Sequence, residues 1–132
     1  MTPPTGWSGV DPFDLPEWIG THDVTWSTTG TLADPLMCGR LADDADGTST
    51  ACDLLAADVA YPHAVVDEET RTAVHQAWRL GQVHLLSGDG RLTLAVPTTT
   101  HTTDSVLEVL GRLALSVGAP RERFSARLRA GR

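Results

Sequence analysis

The residues in this chain that could do chemistry are scattered. The stretch PTTTHTTD, Pro97 to Asp104, sets five threonines and His101 ahead of an amphipathic segment. A helix start offers unpaired N–H groups and the positive end of a dipole, where an anion can sit. Threonine hydroxyls and His101 would add contacts. Asp104 as N-cap, however, would occupy those groups and repel an anion. No glycine lets a ligand approach the backbone, so the stretch is not a P-loop. The simpler reading is an exposed connection ending in a cap.

Other constellations are equally thin. With Gly47 as the sixth position of a calcium loop, Asp44, Asp46 and Asp53 fall at the third, fifth and twelfth. The first position is then Ala42 and the flanks read as strands, so a polar hairpin turn is the better account. No two of His22, His63, His75, His84 and His101 share a helical turn, as a zinc motif would need. His63, His75 and an acid such as Asp67 or Glu68 form the one set left open. No metal or other cofactor is expected. Cys38 and Cys52 read as small buried hydrophobes, with cross-strand pairing left open. There is no GxSxG nucleophile elbow. Asp53 and Asp58 sit in an apolar run, where an acid must face water, find an arginine such as Arg40, or shift its pKa.

Two groups of residues are candidates for binding. Trp78, His84 and His101 would line a ligand pocket between sheet and helices. Trp7, Phe124, Leu128, Arg123 and Arg127 would serve an interface. Trp7 in a loose N-terminal segment suits an interface anchor or a fold-back onto its own core.

The background composition is that of a globular protein: 132 residues, 41% hydrophobic and 20% charged. Lysine and asparagine are absent and Ile19 is the one isoleucine, a bias pointing to a GC-rich, bacterial genome. Net charge is −7, and five of the ten arginines fall within residues 121–132. The body is therefore strongly acidic, which argues against nucleic-acid binding. "TPPTGWSGV" has no signal-peptide character, and no apolar run approaches the ~20 residues of a membrane span. A cytoplasmic protein with reduced cysteines, and no membrane partner, is expected.

Stepping along the chain, residues 1–12 predict a flexible arm and residues 13–132 a single domain. "FDLPEWIG" predicts a short helix capped by Asp14, with Phe13, Trp18 and Ile19 docked on the core. "DVTWSTTGTL", "LMCGRLA" and "TACDLLAADVAY" predict an antiparallel meander, with Cys38 opposite Cys52 and a bulge near Ala56-Ala57. Asp67 to Leu80 predicts a helix, and Val83 to Val96 a hairpin. Asp104 caps a strong helix ended by Gly118 and Pro120. "RERFSARLRAG" predicts a last short helix with Phe124 and Leu128 inward.

The expected fold is α+β: a five-stranded, mainly antiparallel sheet with helices on one face. This order of elements resembles the YbjN and type III secretion-chaperone arrangement. The resemblance implies a dimeric interaction module without enzymatic activity. The first functional expectation is therefore a homodimer, with a possible further protein partner. The alternative is a small-molecule binder or enzyme using the Trp78, His84 and His101 pocket.

Overall fold

The computed structural model describes residues 8–28, 36–57, 68–88, 90–98 and 101–128. The strands are β1 (Ser8–Gly9), β2 (Val24–Thr28), β3 (Leu36–Met37), β4 (Gly39–Asp43), β5 (Ser49–Ala56), β6 (His84–Gly88), β7 (Arg91–Val96) and β8 (Phe124–Arg127). The helices are α1 (Glu17–Thr21), α2 (Glu68–Arg79) and α3 (Thr103–Ser116). Among the described residues, none of them is long and apolar enough to cross a membrane.

All the strands join one sheet in the order β1-β6-β7-β5-β4-β2-β8, with β3 pairing β5 as well. The expected five-stranded, mainly antiparallel sheet is thus corrected to an eight-stranded mixed one. The meander β2-β4-β5 and the hairpin β6-β7 are antiparallel. They meet through a parallel pair, β5 with β7, and a second parallel pair joins β8 to β2. Neither parallel pair carries a local sequence signal, because its partners are joined by long connections.

The centre of the sheet is β5, whose residues from Cys52 to Ala56 are all buried. Such a strand reads as a continuous apolar run, not an alternating one. Its odd and even residues feed two cores. Cys52 and Leu54 join Leu85, Leu92, Leu94 and the inner face of α3. Leu55 and Ala57 join Leu86, Ala95 and Val74 of α2. The two helices therefore lie on opposite faces, so the expected placement of all helices on one face is also corrected.

Local details differ in instructive ways. The N-cap of α3 is Thr102, not Asp104: Thr102 and Ser105 exchange side-chain and backbone hydrogen bonds, and Asp104 sits in the first turn. The segment before α1 is a 3-10 turn, Pro12–Asp14, capped by Asp11, not by Asp14. Phe13 does not dock on the core; it is 93% exposed. The register puts Arg40 opposite Ala51, one residue away from the expected pairing of the cysteines. Cys38 and Cys52 are both free, the first exposed and the second buried. The described part of β5 keeps an unbroken register with β7 up to Ala56, without a bulge. Asp58 lies outside the described residues.

The arginine-rich C-terminal segment forms a 3-10 turn and then β8, so the expected helix is replaced by a strand. Phe124 is 8% exposed and belongs to the main core, and Leu128 packs against it. The segment is held by apolar burial and by the β2 ladder. Phe124→Ala should lower stability by about 3 kcal/mol. Urea unfolding should show this, and added salt should change the difference little; a loss below ~1 kcal/mol would count against this account of docking.

Candidate functional site

One end of the molecule brings together the Pro12–Asp14 turn, the C-terminal turns of α2 and α3, and the start of β6. Between them lies an open cleft of about 600 Å³, walled by Val10, Ala77, Leu80, His84 and Leu115 among others. A second groove of about 400 Å³ adjoins it, between α1 and the end of α3. Pro12, Leu115 and Ser116 line both, so the two form one trough with Leu115 on its divide.

The walls of this trough expose unusual side chains. Phe13, Leu80 and Leu115 are 93%, 68% and 69% exposed. The inward stripe of α3 is already filled by Val106, Val109, Leu110, Leu113 and Ala114. Leu115 therefore has no place in the core and points outward. Leu80 follows the last turn of α2, just before Gly81 takes a φ of 78° and reverses the chain.

Arg112 braces the end of α2 against α3. Its guanidinium lies 3.4 Å from the centre of the Trp78 ring. Nη1 donates to the carbonyls of Trp78 (2.7 Å) and Gln82 (3.3 Å), and Nε donates to Glu108 (2.9 Å). This stacked, hydrogen-bonded arginine fixes one wall of the cleft.

The structure only partly assembles the expected pocket residues. His84 lines the cleft, and its burial pushes the imidazole pKa down. Trp78 lies next to the lining residue Ala77, and its ring is covered by Arg112. His101 is buried at 4% exposure and does not line the cleft. Of the interface candidates, Phe124 and Leu128 serve the core. Arg123 donates to the Thr21 carbonyl at the end of α1 (3.2 Å), and Arg127 is exposed on β8. Trp7, His63 and Asp67 lie outside the described residues. Among the described residues, no group of three or more His, Cys, Asp or Glu side chains converges as a metal site would require.

Two polar pairs escape a reading of the sequence. Asp53 is 4% exposed and is held by Arg91 of β7, not by Arg40: Arg91 Nη2 and Nε donate to its carboxylate at 2.6 and 2.8 Å. Arg40 instead donates to Ser49. At the other end of the sheet, His22 Nδ1 donates to Asp43 Oδ2 at 2.6 Å. The Asp43 side chain is 1% exposed and that of His22 46%. This hydrogen bond to the carboxylate holds the His22 pKa above its ordinary value.

The exposed leucines were hidden for a simple reason. Leu107 falls at helical spacing with Leu110 and Ala114 yet is 44% exposed, so only packing shows which side of so apolar a helix is filled. Comparison of the chain with family models, with curated proteins and with solved structures finds no significant match to any of them.

Proposed function

We propose that the chain is a non-enzymatic interaction module that pairs with a second copy of itself through the trough around Leu115. The observation that carries this reading is the exposure of Phe13, Leu80 and Leu115 about two adjoining grooves. Apolar side chains gathered around a concavity mark interaction sites far more often than scattered ones do. Each such residue gains roughly 1.5–3 kcal/mol on full burial. Phe13 projects beside a cleft on the same face, so a two-fold axis near Leu115 would seat each Phe13 against its partner copy. Such a self-complementary patch is what a two-fold dimer requires.

Sedimentation equilibrium tests the reading. The wild-type chain should be a dimer at micromolar concentration. Leu115→Asp should weaken the dimer at least ~100-fold, because a carboxylate would be buried unpaired at the divide. Its thermal melting as a monomer should be unchanged, since Leu115 is exposed there. A monomeric wild type would end the proposal.

One observation favours a second reading. The cleft volume lies in the range of small-molecule sites, roughly 300–1,000 Å³, and His84 offers it a half-buried imidazole. A small-molecule site would then use His84 with Gln82 and Ser116. Saturable ligand binding lost in His84→Ala, with dimerisation intact, would support it.

A further inference from the structure

We infer that the His22–Asp43 pair is a proton-operated clamp on α1, which tightens the α1 wall of the docking trough as pH falls. The inference rests on the trough being the pairing face, and it concerns how that face is regulated.

The geometry sets up the clamp. His22 is the residue that follows α1, and its N–H caps the helix by donating to Trp18 O. Its side chain reaches Asp43, which is fixed from behind. Asp43 Oδ1 accepts the Ala45 N–H at 2.8 Å, and the Asp43 backbone pairs with Thr48 and Gly47. The anchor is therefore rigid and dry, while the imidazole remains open to solvent protons. On the other side, Glu17, Gly20 and Thr21 of α1 form one wall of the smaller groove. That wall lies close against α3, since a Cβ on Gly20 would stand 3.1 Å from the Val117 carbonyl. A change in how firmly α1 is held is thus a change in the groove itself.

The charges around the imidazole all bear on its titration. Asp43 from β4, Asp46 from the following turn and Glu17 from α1 favour the cation. Asp23 is its chain neighbour, and Asp44 of the same turn accepts from the Thr25 hydroxyl at 2.8 Å. Arg123 opposes them, placing a positive charge on the Thr21 carbonyl. An imidazolium after the last turn of α1 also meets the negative end of the helix.

The sign follows from linkage. Asp43 raises the folded-state midpoint of His22 above the ordinary 6.5. The stabilisation is complete below that pH and fades as pH rises through the raised midpoint. His84 in the cleft moves the other way, because burial lowers its midpoint, so it titrates on the acid side of His22.

The test uses the full chain in two measurements. In the first, NMR follows the His22 imidazole and the backbone amides of Glu17 to Thr21 from pH 6 to 9. The amides should shift with the His22 midpoint, and that midpoint should lie above 6.5. Amides that ignore the His22 titration would overturn the clamp, whether or not the chain dimerises. In the second, sedimentation gives the dimer dissociation constant over the same range. It should rise about three-fold from the acid to the alkaline end in the wild type, and stay flat in His22→Gln. An unchanged pH dependence in His22→Gln would also overturn the inference. Absence of a dimer at every pH would end the pairing proposal alone, leaving the NMR result to decide the clamp.

Discussion

Gly39→Ala should be the most damaging single-methyl change in this protein, with a stability loss of about 3 kcal/mol or more. A Cβ at this position would stand 2.6 Å from the Ser27 carbonyl and 2.6 Å from the Trp26 ring. Neither neighbour can give way. Ser27 belongs to the β2–β4 ladder, where Thr28 pairs with Gly39 itself. Trp26 is fully buried, and its indole N–H donates to the Cys52 carbonyl at 2.8 Å. The ring thus crosses β4 at the one residue that has no side chain and satisfies a carbonyl on the next strand. Alanine would push the indole off that carbonyl and leave two buried polar groups unpaired. Chemical denaturation is the measurement. A loss under ~1 kcal/mol would mean that the ring moves freely, contrary to this packing.

Asp53→Ala should cost about 2–4 kcal/mol. The carboxylate serves two groups besides balancing charge: it accepts the Gly39 N–H at 3.1 Å and a forked contact from Arg91. Arg91 also donates to the Gly39 carbonyl at 3.3 Å. Losing one partner of a buried pair leaves the other stranded, which is costlier than losing both. The Arg91 side chain is 36% exposed and can turn to water, which keeps the loss below that of a fully buried pair. Asp53→Asn should fall between, since its amide oxygen still accepts from Gly39. A double-mutant cycle with Arg91→Leu should return a coupling of about 1–2 kcal/mol. Additive losses would show that the pair acts as two separate residues.

The sequence made local pairing legible and long-range pairing illegible. Alternation in Val24-Thr-Trp-Ser-Thr28 and in Arg91 to Val96 was enough for the meander and the hairpin, because their partners follow at once. Asp53 shows the limit. An acid in an apolar strand can face water, find an arginine or shift its pKa, and Arg40 is the arginine nearby in the chain; the structure buries Asp53 to 4% exposure instead of leaving it in water. Choosing Arg91 required knowing that β5 and β7 run side by side, a contact that no short-range pattern encodes. "RERFSARL" failed differently. Phe124 and Leu128 are four apart, as in a helix, yet Phe124 and Ala126 also alternate with Ser125 and Arg127. In so short a segment the open edge of β2 decides the state, and tertiary context overrides local propensity. The candidate site was the least legible. His84 was found, whereas Leu80 and Leu115 matter through what fails to cover them, and that is a property of the assembled surface.

The parallel join of β2 to β8 has a consequence for how the chain comes to be folded. Val24 pairs with Phe124. On the ribosome, β2 can meet β4 and β5 as soon as they emerge, but it must wait for nearly everything else before β8 exists. During that interval its far edge presents unpaired N–H and C=O groups to any neighbouring nascent chain. The closure of such a distant contact is also entropically slow. A chaperone that shields the β2 edge should therefore raise the yield of native protein most during synthesis, and matter little once Phe124 is seated.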